Sequence, residues 1–253
     1  MMTKINVKNS ILFSILGVVL IFALWFLLYF IVANAYVIPS PIEVVKASLS
    51  YLSSLTFYGH LANTLIRVVL ALAISFVLGI FFAILSHLFT NVEHTLLPIV
   101  SVIRSLPTLA VLLIILICVS RVIAPTIVCI LTLFPIVYSQ TLRYLNTISK
   151  QEREMLTLYN VPIKKQIFSV YLKGYLPFFI KEATALFSFS LKLVVSAEIL
   201  ANVFKSIGGD VFQASIYAEV TQMFSLTLLV CVLGIIVEFI GNAISRKMEK
   251  KFQ

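Results

Sequence analysis

The amino-acid sequence predicts an all-α, polytopic membrane protein of about six transmembrane helices. Of its 253 residues, 61% are hydrophobic and 11% are charged, and the mean hydropathy is +1.09, far above the range of soluble domains. A spanning helix needs about 20 predominantly apolar residues. Six runs of about that length occur, at roughly 11–33, 62–85, 96–119, 122–142, 178–201 and 222–244.

Helices are expected in these runs because backbone polar groups in hydrocarbon must be satisfied within the segment. The alternating pattern of outer-membrane strands is absent from them. The first run follows Lys4 and Lys8, and Ala33-Asn34-Ala35 resembles a signal-peptidase site. Since the run is longer than the apolar core of a signal peptide, we predict an uncleaved first span.

The distribution of lysine and arginine predicts the orientation of the chain. Basic residues gather before the first span, between the fourth and fifth spans and after the sixth, whereas the opposite loops carry little more than Lys46, Arg121 and Lys205. Both termini are therefore predicted to be cytoplasmic. This asymmetry also accounts for the formal net charge of +9, so nucleic-acid binding is not inferred.

We predict a single membrane domain over residues 1–253. Residues 1–57 hold the N-terminal tail, the first span and an outer loop. Residues 58–245 form the core, which includes a cytosolic loop at 143–177, and residues 246–253 form a basic cytosolic tail.

The sequence offers no motif for enzymatic chemistry. It lacks a G-x-S nucleophile turn, an H-E-x-x-H helix and a metal-ligand spacing among Cys118, Cys129 and Cys231. It also lacks a phosphate-binding P-loop, so any use of ATP needs another chain. We therefore predict no catalytic residue, no cofactor and no metal.

The cytosolic loop is predicted to contain a short helix. Ser149 and Glu152 have the spacing of a capping box, which marks a helix start. Asn160 tolerates the left-handed conformation that follows a helix and Pro162 cannot continue one, so the helix should end near Tyr159.

This short helix has an apolar strip, formed by Met155, Leu156, Leu158 and Tyr159. The strip could pack on the membrane surface or on the protein's own helix ends. It could equally fill a groove on a cytosolic partner. The residues alone leave these alternatives open.

Charges inside the predicted spans are costly and need a reason. Arg67, Lys181, Glu182 and Glu238 lie near enough to span ends to snorkel or to pair locally. The more informative charges lie deeper: Arg104, which precedes a predicted kink at Pro107, and Lys192 and Glu198, whose spacing of six does not place them on one helix face.

Two hypotheses account for the deeper charges. In the first, Arg104 and Lys192 line an anion-compatible path and Glu198 braces a gate. In the second, they belong to a buried ion-pair network that holds helices in register. Glu198 in either case needs partners from other helices.

The cytosolic loop resembles the EAA loop of ABC-importer permeases. Glu154 stands at the glutamate of that pattern, Asn160 at its glycine, and Leu176-Pro177 closes it without a gap. Met155 and Leu156 replace the two alanines. The resemblance implies that Ser149, Glu152, Glu154, Met155, Leu156, Leu158, Tyr159, Asn160 and Pro162 form an ATPase-coupling loop.

Further stretches resemble the nitrate, sulfonate and taurine branch of that family, in the family's order. They are 38–45, 60–68, 104–110 and 194–200. The resemblance implies a permease subunit in a bacterial inner membrane that imports a small solute, such as a nitrate-, sulfonate- or taurine-like anion or a vitamin precursor. The implied partners are a separate ATP-binding cassette ATPase, a second permease copy in a homodimer, an extracytoplasmic substrate-binding protein and the lipid bilayer.

A stand-alone secondary transporter or channel is the alternative function. A secondary transporter more often shows internal repeats and matching broken helices in two halves. No convincing repeat occurs in the sequence, and a channel has no need of a capped cytosolic helix.

Overall fold

A computed structural model describes residues 7–147, 155, 158–162, 165–166 and 173–252. Within those ranges the regular elements are helices and no strand occurs, which confirms the all-α prediction. The helices are α1 (Val7–Val32), α2 (Pro41–Leu52), α3 (Leu55–Leu88), α4 (Thr90–Ser105), α5 (Thr108–Cys118), α6 (Ala124–Asn146), α7 (Lys173–Ala201), α8 (Ile207–Ile216) and α9 (Val220–Phe252).

Four of these helices contain segments long and apolar enough to cross a bilayer, namely Leu55–Leu88, Ala124–Asn146, Phe178–Ala201 and Val220–Ser245. They coincide with the second, fourth, fifth and sixth predicted spans. The bent pair α4 and α5 raises the number of candidate spans to five in the described part of the chain. The first predicted span coincides with α1. The apolar part of α1, Leu16–Val32, is shorter than the four candidate spans.

The third predicted span is broken, where the sequence predicted only a kink. Helix α4 ends at Ser105, α5 begins at Thr108, and the two are bent by 95°. Proline disfavours a helical conformation in the residue before it, and Leu106 is accordingly extended, with φ −69° and ψ 131°. Pro107 also has no N–H for a helical hydrogen bond. The two residues together therefore end one helix and begin another.

The chain divides into two compact units, and each is described by itself. The first comprises the described residues of Met1–Tyr58 with Asp210–Leu229. In it, Ser40 and Glu43 form a capping box at the start of α2, and Tyr51 donates a hydrogen bond to Gln222 Oε1 at 2.7 Å. Burial raises the pKa of the Tyr51 hydroxyl, and the carboxylates of Asp210 and Glu219 act in the same direction.

The second unit comprises the described residues of Gly59–Gly209 and of Val230–Gln253. Its core follows α6, whose buried Tyr138, Leu142 and Leu145 cluster with Ala83 and Val100. Small residues allow helices to approach closely. Gly79 of α3 is one of them, because a Cβ there would lie 2.6 Å from Val137 Cγ1. This unit contains all the predicted site residues that the structure describes.

Candidate functional site

The predicted coupling loop is described only in part. Ser149, Glu152, Glu154 and Leu156 lie outside the described residues. Met155 and Leu158 are helical, and Tyr159 N donates to Met155 O at 3.0 Å, which is a helical hydrogen bond.

The end of this segment has the geometry expected from the sequence. Asn160 adopts φ 47°, the left-handed conformation that commonly follows a helix. Pro162 lies two residues after Asn160 and is not helical.

The apolar side chains of this segment are exposed. Met155 is 58% exposed, Leu158 78% and Tyr159 72%. Such exposure argues against packing on the protein's own helix ends. A membrane surface or a partner chain remains as the cover for this strip.

A cavity of about 240 Å³ lies at the break between α4 and α5. One wall comes from the two ends of the broken span and the other from the first half and middle of α6. The lining residues are Ile103, Arg104, Leu106, Thr108, Val111, Val128, Leu131, Thr132 and Ile136. The wall is thus aliphatic, with one cation and two threonines.

Arg104 is the one charged residue among those that line the cavity. It is exposed, and its Nη1 lies 3.5 Å from Ser139 Oγ, at the limit of a hydrogen bond. Across the described ranges, no carboxylate lies within 4 Å of its guanidinium. Its charge is therefore available to the cavity.

Pro107 occupies the N-cap position of α5 and provides no side-chain hydrogen bond to the helix. The first amides of a helix have no acceptor within it, and they carry a partial positive charge. Thr108, the first residue of α5, lines the cavity. The start of α5 therefore lies beside the cavity that Arg104 lines.

Glu198, near the end of α7, has very different surroundings. It is fully buried, and both oxygens of its carboxylate accept hydrogen bonds. Arg67 Nη1 donates to Oε1 at 2.7 Å. Thr64 Oγ1 and Gly208 N donate to Oε2 at 3.0 and 3.1 Å. A buried charge is tolerated only when it is paired and hydrogen-bonded in this way.

Two more hydrogen bonds extend this cluster. Ile207 N donates to Thr64 Oγ1 at 3.1 Å, and Arg67 Nε donates to Val122 O at 3.2 Å. The cluster therefore joins α3, the end of α7, the start of α8 and the loop 119–123 between α5 and α6. We name Thr64, Arg67, Val122, Glu198 and Gly208 the Glu198 junction.

Gly208 is required by the close approach of α8 to α7. A Cβ at this position would lie 2.6 Å from Val195 O and would also overlap the Cβ of Glu198. Glycine lets the Gly208 amide reach the carboxylate.

The structure does not bring the four predicted path residues into one cluster. Arg104 lines the cavity and Pro107 lies at the break beside it, whereas Lys192 and Glu198 are not among the lining residues. Lys192 is exposed on α7.

Sequence reasoning missed the partners of Glu198. Arg67 was expected to snorkel or to pair locally, but it lies inside α3 and pairs with a residue 131 positions away. The available signal was that Glu198 needed a partner from another helix and that α3 carried an intramembrane arginine. Over the described residues, no group of three or more histidine, cysteine, aspartate or glutamate side chains could hold a metal ion.

Comparison with known families gives a match over most of the chain. Residues 75–250 match the model of the family described as "Binding-protein-dependent transport system inner membrane component". The chain is also 30% identical over 91 residues to the formylaminopyrimidine transport permease protein ThiX of Halalkalibacterium halodurans. That alignment covers 36% of this chain and 36% of the relative.

Two solved structures share the fold. An inward-facing MetNI methionine ABC transporter matches with a TM-score of 0.62 and 17% identity, covering 73% of this chain and 92% of that one. An amino acid ABC transporter crystallised with histidines matches with a TM-score of 0.61 and 17% identity, covering 83% and 97%.

Proposed function

Because this chain belongs to the family of binding-protein-dependent transport system inner membrane components, we propose that it forms the translocation path of an importer and couples that path to a separate ATPase. As an ABC-importer permease subunit it is a multi-pass inner-membrane protein. The finer assignments concern the coupling loop, the path, the solute and the partners.

The exposed strip of Met155, Leu158 and Tyr159 is the observation that carries the coupling role. Apolar side chains at 58–78% exposure that lie just before the left-handed Asn160 suit the helix-in-groove mode of docking. In this proposal Ser149, Glu152 and Glu154 start and orient the helix, and Asn160 and Pro162 end it. The groove belongs to the cytosolic ATPase.

Substitutions in the strip test the coupling role. Leu158→Asp and Leu156→Pro should release the ATPase during purification, or abolish ATP-driven transport, while the protein still inserts in the membrane. Phe204→Asp is the matched control, since Phe204 is 69% exposed and follows the opposite end of α7. If both coupling variants retain the ATPase and transport normally, the docking face is assigned wrongly.

The cavity supports the proposed path. Arg104 and the uncapped start of α5 at Pro107 place positive charge and donors against an aliphatic wall, which suits a small anion. Lys192 would contribute a second cation, and Glu198 would brace the surrounding helices. The solute would be a nitrate-, sulfonate- or taurine-like anion or a vitamin precursor.

The name of the relative ThiX supports a different solute class. That protein is described as a formylaminopyrimidine transport permease, and such a pyrimidine could use the aliphatic wall and threonines of the cavity. Uptake into proteoliposomes should separate the classes. Arg104→Gln should lower uptake of taurine or nitrate strongly if the solute is an anion, whereas formylaminopyrimidine uptake should change little.

The proposed assembly is a permease homodimer with two ATPase subunits and an extracytoplasmic substrate-binding protein. Native mass spectrometry of the purified complex would measure this stoichiometry and would identify solute carried by the binding protein. Two different permease chains in one complex would contradict the homodimer.

Membership of this family disfavours the alternative expected from the sequence, a stand-alone secondary transporter or channel. That alternative predicts solute flux through the purified chain without ATP or an ATPase. An importer permease should show such flux only with the ATPase and ATP present.

A further inference from the structure

We propose that Arg67 is a positioning residue with two separable roles, one that holds Glu198 and one that tethers the loop 119–123 and thereby the end of α5. This inference rests on the proposed transport function for its meaning, but its geometry is independent of the solute and of the ATPase. It concerns how the wall of the cavity is kept in place.

The two hydrogen bonds of Arg67 differ in strength. Nη1 donates to the buried carboxylate of Glu198 at 2.7 Å, which is short and charge-assisted. Nε donates to the neutral carbonyl of Val122 at 3.2 Å, at an exposed position. Because water competes for exposed hydrogen bonds and neutral ones are weaker, the Val122 bond is the one that breaks first.

Helix α5 is connected at both ends through non-helical residues, which would allow it to move relative to the rest of its unit. One end follows the extended Leu106 and Pro107, where the chain turns by 95°. The other end continues into the loop that Arg67 tethers. Between them, Leu112 is the buried residue of α5, and it clusters with Ala124, Val128 and Ala197.

Release of the Val122 bond would allow α5 to turn about the break and lift Leu112 from this cluster. Thr108 and Val111 of α5 would move with it, and they line the cavity. The Glu198 bond would meanwhile keep α3, α7 and α8 joined. The guanidinium of Arg67 thus connects the helices joined at Glu198 to α5, which forms part of the cavity wall.

Thiol labelling tests this role without transport or ATP. The reporter is Leu112→Cys in a Cys118→Ser/Cys231→Ser background, because Leu112 is 1% exposed. The remaining native thiol, Cys129, is fully buried and serves as the internal control for general loosening of the fold. Labelling by a maleimide is measured site by site by peptide mass spectrometry.

Arg67→Lys is the first variant. A lysine keeps a positive charge for Glu198 but lacks the planar fork that reaches two acceptors. Loss of one hydrogen bond of ordinary net strength should raise the labelling rate at Leu112→Cys by about five- to tenfold, while Cys129 stays unlabelled.

Arg67→Met/Glu198→Gln is the second variant, in case the lysine perturbs folding. It leaves no buried charge, and the glutamine can still accept from Gly208 N and Thr64 Oγ1. The same selective rise at Leu112→Cys is expected. An unchanged rate in both variants would overturn the tether, and a parallel rise at Cys129 would show that Arg67 only maintains the fold.

The result is distinguishable from a failure of the proposed function. Selective labelling with normal ATPase binding in Leu158→Asp would support the tether and contradict the coupling role. Unchanged labelling with loss of the ATPase in Leu158→Asp would do the reverse.

Discussion

Arg104 and Glu198 are both ionisable residues within predicted spans of one structural unit, yet their surroundings differ in almost every respect. Arg104 is exposed to a cavity, and its guanidinium makes a marginal contact with Ser139 Oγ at 3.5 Å. Glu198 is fully buried and accepts three hydrogen bonds from α3 and α8. The ion pair with Arg67 favours a structural role for Glu198, while a role in the path stays a proposal for Arg104.

The effect of a charge inside a membrane protein depends on whether the charge is paired. A buried, fully paired charge offers nothing to a passing solute, and its removal leaves a partner stranded. A cation that faces a cavity costs less to remove and can act on a solute. Substitutions that affect stability in one region and transport in the other would sharpen this contrast.

The largest expected effect is that of Arg67→Ala. It leaves the Glu198 carboxylate buried without its counter-charge, which should cost about 3–5 kcal/mol of unfolding free energy. Thermal unfolding in detergent measures the loss. Adding Glu198→Gln to this variant should restore part of the stability. A wild-type melting temperature for Arg67→Ala alone would contradict the stabilising role of the Arg67–Glu198 pair.

Gly208→Ala should have the next largest effect. Its methyl group would lie 2.6 Å from Val195 O and overlap Glu198, so overpacking should cost about 1–3 kcal/mol. Gly59→Ala is the matched control, because a Cβ there would lie more than 4 Å from any described side chain or backbone beyond its own helix and chain neighbours. That control should unfold at the wild-type temperature or slightly above it. Equal destabilisation by both alanines would mean that α8 does not pack closely on Glu198.

Arg104→Gln should change the unfolding free energy by no more than about 0.5 kcal/mol, since Arg104 has no buried partner among the residues that the structure describes. Its effect should appear in solute uptake instead, as a large decrease for an anion. The proposed difference between Arg104 and Glu198 would be contradicted if the substitution lowered the melting temperature and left transport unchanged. Arg104 would then belong to a structural network, like Glu198.

Ser139→Ala should have the smallest effect on stability. The distance of 3.5 Å to Arg104 Nη1 is at the limit of a hydrogen bond, so the change should stay below about 0.5 kcal/mol. Thr64→Val provides the comparison, because it removes a hydroxyl bonded to both Glu198 and Ile207. A larger loss in Ser139→Ala than in Thr64→Val would reverse the assignment of the two regions.

Much of the fold could be predicted because the length of an apolar run is a local property of the sequence. The ends of four spans were located within four residues, apart from the start of the second, which lies at Leu55 and not at 62. The conformation of Asn160 followed from the tolerance of asparagine for positive φ. The break at Leu106 and Pro107 was predicted only as a kink. Whether a proline bends or interrupts a membrane helix depends on what surrounds it, since neighbouring groups must satisfy the freed backbone.

The site was less predictable than the fold. The need of Glu198 for partners was evident from its position, but the identity of Arg67 was not, because the two residues are 131 positions apart. The role of Gly208 was also hidden. Its contact with Glu198 depends on how the first residues of α8 pack against the end of α7.

The sequence by itself determined the all-α class, the approximate spans, the absence of a nucleotide-binding motif and the resemblance to importer permeases. These follow from composition, run length and motifs, which the chain carries regardless of its packing. Only the tertiary structure decided that Arg67 pairs with Glu198, that α4 and α5 are separate helices and that a cavity with one cation lies between them and α6. Side-chain pairing and cavities are produced when distant helices pack together, so no local pattern in the sequence records them.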